Sequence, residues 1–178
     1  MRAQDRIALC EANAIERKAL IASLGRDRRL SIVGTDGYVA LNAYVPPKER
    51  RGIVLIDPPF ETPDEAARLL RTLERATRKW PTGTYVSWRP IRDVRGDTRF
   101  LNAVAAFGAP NILRLELDVG PGAIGAHGQE PLSRAGLLIF NPPHLLMEEA
   151  WTLLPWLAQA LGRDRDGKHR CDWLIEPK

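Results

Sequence analysis

The chain has 178 residues, 44% of them hydrophobic and 27% charged, enough for one domain with a substantial core and too apolar for a disordered chain. A formal net charge of +4 and a sequence pI of about 9.4 favour a polyanionic partner without requiring one. Cys10 and Cys171 lie far apart and outside any CxxC spacing, so neither a zinc site nor a disulfide framework is indicated, and a reducing cytoplasm is the simplest compartment. No stretch approaches the length of a membrane span, and no apolar leader run follows Met1 to Asp5.

Ile7-Ala8-Leu9-Cys10 reads as a short buried strand closed by Glu11. Asn13 to Leu24 carries Ile15, Ala19, Leu20 and Leu24 at helical spacing, with Gly25 as a stop. A second strand, Leu30 to Gly34, ends at Thr35-Asp36-Gly37, and a short helix from Tyr38 to Tyr44 is stopped by Pro46-Pro47. Gly52-Ile53-Val54-Leu55-Ile56-Asp57-Pro58-Pro59-Phe60 follows. Its four apolar residues are too few for a helix and fit a central strand buried on both faces of a parallel sheet. The prolines end the run, which sets Asp57 at the strand's C-terminal end, where open α/β sheets bind ligands.

Thr62-Pro63-Asp64-Glu65 predicts a helix start, with Leu69, Leu70, Leu73 and Ala76 as its apolar face. Gly83 to Trp88 is the next strand, followed by a helix over Thr98 to Phe107. Asn111 to Asp118 and Ala135 to Asn141 are two further strands, joined by a stretch containing Gly120, Gly122, Gly125 and Gly128 that reads as either a substrate lid or a long hairpin loop. His144 to Leu161 is a long helix with Trp151 and Trp156 as core residues, and Asp172 to Ile175 is a last short strand. Alternating strands and helices predict a doubly wound α/β sheet.

Three acids, Glu11, Asp36 and Asp57, close three successive strands, and parallel strands present such ends along one edge. A carboxylate closing a strand of a nucleotide-binding sheet accepts from ribose hydroxyls, a role that Glu11 fits. Asp36-Gly37 would lie beside an adenine. Each acid by itself reads as a helix cap or turn residue, and it is the three together that read as a site.

Asp57-Pro58-Pro59-Phe60 is more specific. The exocyclic amine of adenine is a poor nucleophile because its lone pair is delocalised into the ring. A carboxylate and the Pro58 carbonyl, placed on its two hydrogens, favour a pyramidal nitrogen, and proline offers a carbonyl with no competing N–H. Phe60 would stack on a base swung out of its helix, and transfer would then depend on holding the amine in line with an activated methyl group. The alternative is a proline turn with Phe60 in the core. Asn141-Pro142-Pro143-His144 repeats the pattern without the aromatic residue and reads as a strand-to-helix turn. Arg89, Arg92 and Arg95, with Arg99, follow the neighbouring strand and are candidate RNA phosphate contacts, a solvated loop being the alternative. Arg68, Arg71, Arg75 and Arg78 read as a solvated helix face. His127, His144 and His169 are isolated, and no metal site is indicated.

These motifs, Glu11 after Leu9-Cys10, Thr35-Asp36-Gly37-Tyr38, Arg51 to Phe60, Thr82-Gly83-Thr84-Tyr85 with Trp88, and Asn141-Pro142-Pro143 followed by Leu154-Pro155-Trp156-Leu157, resemble those of the RlmJ family, adenine-N6 methyltransferases of 23S ribosomal RNA that use S-adenosylmethionine. The resemblance runs along essentially the whole chain. It implies a Rossmann-like class I methyltransferase sheet, cofactor contacts at Glu11, Asp36, Gly37 and Asp57, a catalytic group of Asp57, Pro58, Pro59 and Phe60, and a place in ribosomal RNA maturation.

Family members begin with a His- and Lys-containing segment and a first strand with a glycine-rich loop, neither of which this sequence contains. The resemblance therefore implies a single truncated domain over 1–178, matching the C-terminal part of the family, whose sheet lacks its first strand between the strands ending at Glu11 and Asp57. Two unpaired ladders follow from that, with weak or absent cofactor binding by this chain alone and a tendency either to aggregate or to recruit a complementing N-terminal segment. Two other readings are a DNA adenine-N6 methyltransferase, since the motif reads the base and not the sugar, and a non-catalytic nucleic-acid-binding remnant.

Overall fold

A computed structural model of the chain describes residues 2–122, 131–163 and 167–177. The chain divides into two compact units, Met1–Pro47 and Lys48–Lys178. His127, Gly125 and Gly128 of the glycine-containing connection lie outside the described residues.

The first unit runs β1 (Ile7–Cys10), α1 (Ala14–Leu24), β2 (Leu30–Val33) and α2 (Gly37–Tyr44). β1 and β2 pair in parallel, Ile7 opposite Leu30 and Cys10 opposite Val33. Asn13 caps α1, its Oδ1 accepting from the Ile15 N–H at 2.9 Å and the Glu16 N–H at 3.4 Å. The apolar stripe expected to bury α1 does not do so. Ile15, Ile21 and Leu24 are exposed, and the buried apolar residues of this unit are Ala40, Leu41 and Val45. A two-stranded sheet offers too little surface to cover a three-turn helix.

The second unit runs β3 (Ile53–Ile56), α3 (Glu65–Lys79), β4 (Thr84–Pro90), α4 (Val94–Ala105), β5 (Ile112–Asp118), β6 (Arg134–Phe140), α5 (Leu146–Leu161) and β7 (Lys168–Ile175). Its sheet has the order β3-β4-β6-β5-β7, with β3 and β4 parallel and the remaining pairs antiparallel. β3, expected at the centre of a sheet and buried on both faces, is an edge strand of its unit. Ile53 and Leu55 are 72% and 71% exposed, because only Val54 and Ile56 meet partial cover. Among the described residues β1 pairs with β2 alone and β3 with β4 alone.

Alternation along β4 sends Tyr85, Ser87 and Arg89 to one buried face and leaves Val86 and Trp88 on the other. The first face carries the α3 side of the core, where Leu69 and Leu73 are fully buried. There the Tyr85 hydroxyl lies 2.8 Å from the Ala76 carbonyl oxygen and 3.1 Å from that of Trp80. Trp80 explains two glycines: a Cβ at Gly83 would come within 2.3 Å of its ring, and one at Gly52 within 2.9 Å. On the other face Leu113, Leu115 and Ile139 pack against Ala150 and Leu154 of α5.

Several boundaries differ from those expected. α3 opens at Glu65, one turn after Thr62-Pro63, because Thr62 and Glu65 first close a turn: the Glu65 N–H donates to the Thr62 carbonyl and the Thr62 hydroxyl to Glu65 Oε2, both at 3.2 Å. α4 starts at Val94 and not near Thr98, since Asp93 caps it through both carboxylate oxygens, accepting from the Arg95 N–H at 3.0 Å and the Gly96 N–H at 2.6 Å. β7 reaches back to Lys168, extended by its ladder with β5 and fastened by Arg114, which donates to both oxygens of Asp172 at 2.7 and 2.6 Å. Trp151 and Trp156 are surface residues, each 62% exposed, because the inner face of α5 is Ala150, Leu154 and Ala158.

Arg89 also departs from its expected place among the phosphate contacts. It lies within β4, 2% exposed, with one guanidinium nitrogen 2.5 Å from Glu116 Oε1 and another on Asp97, so it is committed to the interior and faces no phosphate. Burial pushes its guanidinium pKa down, and Glu116 opposes that shift. Arg134 adds a longer contact to Glu116 at 3.9 Å.

Two stability outcomes follow. Glu116→Ala leaves the Arg89 charge buried with one partner fewer and lowers unfolding free energy by roughly 3–5 kcal/mol in denaturant titrations. Burial holds the Tyr85 hydroxyl up at about 12, above its ordinary value of 10.0, so the unfolded chain loses this proton first as pH rises. Stability is therefore undiminished below pH ~10 and falls between ~10 and ~12 by roughly 2–3 kcal/mol, a loss that Tyr85→Phe removes from a pH series of thermal unfolding.

Candidate active site

In the first unit, parallel pairing brings Glu11 and the turn after β2 to the same sheet edge. The Glu11 N–H continues the ladder by donating to the Val33 carbonyl at 3.0 Å. Glu11 Oε1 accepts from the Asn13 N–H at 2.7 Å, which holds the side chain folded over the start of α1. Asp36 is the N-cap of α2, its Oδ1 accepting from the Tyr38 N–H at 2.9 Å and the Val39 N–H at 3.1 Å. Gly37, the first residue of α2, has nothing within 4 Å of the place a Cβ would occupy, so a ligand can approach its backbone closely. Asp36 thus caps α2 while Glu11 braces the Asn13 cap of α1, and the edge they share carries two carboxylates beside an open glycine.

In the second unit, Asp57 follows the last residue of β3 and is exposed. Pro58 is buried, Pro59 is exposed and Phe60 is half-buried. Register sets Ile56 opposite Ser87, so the chain leaving β3 runs beside Trp88 of β4. Phe60 meets Trp88 edge to face, the ring centroids 5.9 Å apart at 66°. Phe60 also has φ of 50°, in the left-handed region that costs a non-glycine residue of order 1–3 kcal/mol. The sequence marks Phe60 as aromatic but carries no sign of this backbone state. Trp88 is the partner that holds it, and the sequence marks it twice, by its outward position in the β4 alternation and as a member of the Thr82-Gly83-Thr84-Tyr85 motif group.

Arg92 and Arg95 are exposed, in the β4–α4 connection and the first turn of α4 respectively. Since β3 and β4 are parallel, both emerge at the sheet edge that carries Asp57. Arg89 does not join them.

The second proline motif lies at the other edge, because β6 runs antiparallel to β4 and ends where β4 begins. Asn141, with φ of 48°, donates through Nδ2 to the Pro81 and Gly83 carbonyls at 2.7 and 2.9 Å, and its own carbonyl accepts from the Thr84 hydroxyl at 2.8 Å. It is a clasp on the entry to β4. Among the described residues no group of His, Cys, Asp and Glu is arranged to hold a metal ion, and no helix is long and apolar enough to cross a membrane.

Over residues 1–175 the chain matches the family model described as ribosomal RNA large subunit methyltransferase D, RlmJ. It is similar to the ribosomal RNA large subunit methyltransferase J of Haemophilus influenzae, 30% identical over 174 residues that cover 98% of this chain and 60% of the relative. The protein of the same name from Escherichia coli K12 is 28% identical over 175 residues, covering 98% of this chain and 61% of the relative. A crystal structure of a Legionella pneumophila protein matches with a TM-score of 0.86 at 28% identity, over 97% of this chain and 62% of that one. The chain spans about three fifths of the length of the relatives it matches. With its α/β architecture, a match of this extent means that the chain belongs to the RlmJ family and has a Rossmann-like methyltransferase fold.

Proposed function

We propose that this chain carries the base-reading part of an S-adenosylmethionine-dependent methyltransferase that acts on N6 of an adenine in 23S ribosomal RNA. One observation supports the reading above others: Asp57 stands exposed at the C-terminal end of β3, two prolines before an aromatic residue held in the left-handed region against Trp88. The relatives, ribosomal RNA large subunit methyltransferases by name, support the RNA substrate.

In this reading Phe60 stacks on the flipped adenine, and the Asp57 carboxylate and Pro58 carbonyl accept the two hydrogens of its amine. That arrangement turns the nitrogen lone pair away from the ring. Asp57 takes the proton as the new N–C bond forms, so no prior deprotonation is needed. Pro59 keeps the segment extended and adds no competing donor.

When bound, S-adenosylmethionine would supply the electrophilic methyl group, its sulfonium–methyl bond breaking with the electron pair left on sulfur as a neutral thioether. The first unit's residues fit its nucleoside end. Glu11 is fixed through one oxygen, while Oε2 makes no hydrogen bond among the described residues and can accept from a ribose hydroxyl. Asp36 and the open backbone of Gly37 suit the purine edge. Arg92 and Arg95 suit phosphates flanking the base.

The open edge of β3 supports a further element of the same reading. Ile53 and Leu55 are exposed and the ladder has one neighbour among the described residues, so a complementing segment adds a strand there.

The protein, co-expressed with a complementing N-terminal segment in cells whose 23S ribosomal RNA lacks the modification, is expected to restore N6-methyladenine, with duplex DNA unmodified. Asp57→Ala is expected to lower the yield by roughly 10²–10⁴-fold, and Phe60→Ala by about tenfold through lost stacking. An Asp57→Ala chain that restores the full yield would sink the reading. Calorimetric titration of the chain alone with S-adenosylmethionine is expected to give weak or absent binding, and tight binding would remove the need for a complementing strand.

A further inference from the structure

The α3 helix carries a strongly polarised charge distribution that the proposed chemistry does not use. Leu69, Leu73 and Ala76 are buried on one side. Arg71, Arg75 and Arg78 recur at i, i+4 and i+7 on the opposite side, all exposed, with Lys79 beside them. They line an open hollow of about 440 Å³ together with Glu74. Arg78 pairs with Glu74 at 2.8 Å, whereas Arg71 and Arg75 form no ion pair among the described residues. One acid among the three arginines leaves a net positive stripe. It extends about 10 Å along the helix from Arg71 to Arg78.

Topology gives the stripe a direction. α3 starts from the loop that follows Phe60, and its last turn reaches the opposite sheet edge, where β3 and β4 begin. There the Thr82 hydroxyl donates to the Arg50 carbonyl at 2.6 Å, bringing the Arg50-Arg51 turn against the end of α3. A basic track therefore runs along α3 toward the Arg50-Arg51 turn, at the sheet edge opposite Asp57.

We infer that this arginine stripe is a binding surface for the sugar-phosphate backbone of RNA. It lies remote from the base-reading loop, and the proposal rests on the RNA substrate proposed above. Cations spaced about one helical turn apart in a line match a polymer with a regular charge repeat better than a compact anion. The arginine fork also grips phosphate oxygens in pairs, which a lysine cannot do. Such contacts fix how the RNA lies without reading its sequence.

The test is fluorescence anisotropy of a labelled single-stranded oligoribonucleotide of mixed sequence with the full chain, across a salt series and without methyl donor. Arg71→Gln with Arg75→Gln is expected to weaken binding roughly tenfold or more at low salt, and to flatten the plot of log Kd against log salt by about 1.4, about 0.7 for each phosphate of a single strand no longer neutralised. Thermal unfolding is expected to stay unchanged because both side chains are exposed, and Arg71→Lys with Arg75→Lys to keep most of the salt dependence. Unchanged affinity and slope in the glutamine variant would overturn the proposal. Equal displacement of the RNA by polyglutamate would also overturn it, in favour of an acidic protein partner. Asp57→Ala separates the two readings. If RNA binding depends on the arginines while Asp57→Ala leaves the 23S modification intact, the stripe stands and the base-methylation reading fails. If Asp57→Ala abolishes the modification while the glutamine variant binds RNA unchanged, the methylation reading stands and the stripe fails.

Discussion

The arrangement of the second unit depends on the parallel register of β3 with β4, which is locked at both ends by a tryptophan. At the start, Trp80 fills the space left by two glycines, Gly52 before β3 and Gly83 before β4. A side chain on either would push the strands apart or out of register. At the far end, Trp88 meets Phe60 edge to face. Because strand side chains alternate with period two, a slip of one residue would turn Trp88 inward and Arg89 outward. It would then bury Trp88 where Arg89 now reaches Glu116, and strand Phe60 without its partner. The aromatic contact, worth about 0.5–1.5 kcal/mol, works against the strain of the left-handed Phe60, and the prolines before it limit the other conformations open to the segment. The loop is thereby held in shape before any ligand arrives.

Charge within the unit follows the same alternation. β4 directs Arg89 into the interior, where Glu116 of β5 and Asp97 of α4 meet it, so one guanidinium joins a strand, across β6, to the next strand but one and to a helix. A buried ion pair contributes little net stability, yet it is intolerant of losing a partner. It therefore acts against alternative packings of β4, and β4 is the strand that positions Trp88. The outward cations, Arg92, Arg95 and the α3 stripe, are left at the surface, where a polyanion can reach them.

The order of strands and helices was legible because it rests on local signals: apolar runs, caps and proline or glycine stops. The strand-end positions of Glu11, Asp36 and Asp57 were legible for the same reason. What escaped were properties set by neighbours. The apolar run of β3 has the composition of a doubly covered strand, but composition does not say how many strands lie beside it. Trp151 and Trp156 follow the hydrophobicity of α5 without lying on its inner face, which small residues and Leu154 occupy. Arg89 looked like its neighbours Arg92 and Arg95 until β4 proved to end two residues later, at Pro90, and parity then turned it inward. The Phe60 backbone state has no sequence signature, because asparagine and glycine are the usual occupants of that region.

The two proline motifs show why a short pattern acquires meaning only from the strand that carries it. Asp57-Pro58-Pro59 and Asn141-Pro142-Pro143 each follow an apolar strand, and each motif includes or precedes a residue with positive φ. β3 is parallel to β4 and delivers its motif to the C-terminal edge of the β3–β4 pair. β6 is antiparallel to β4 and delivers its motif to the edge where those strands start. Asparagine at the second position is then productive as structure. Its amide donates to the Pro81 and Gly83 carbonyls, which a carboxylate could not do, and so steadies the entry to β4 beneath Trp80. At the first position the requirement is reversed: an acceptor left open among the described residues, exposed beside an aromatic ring, and there a carboxylate suits an amine as an amide would not.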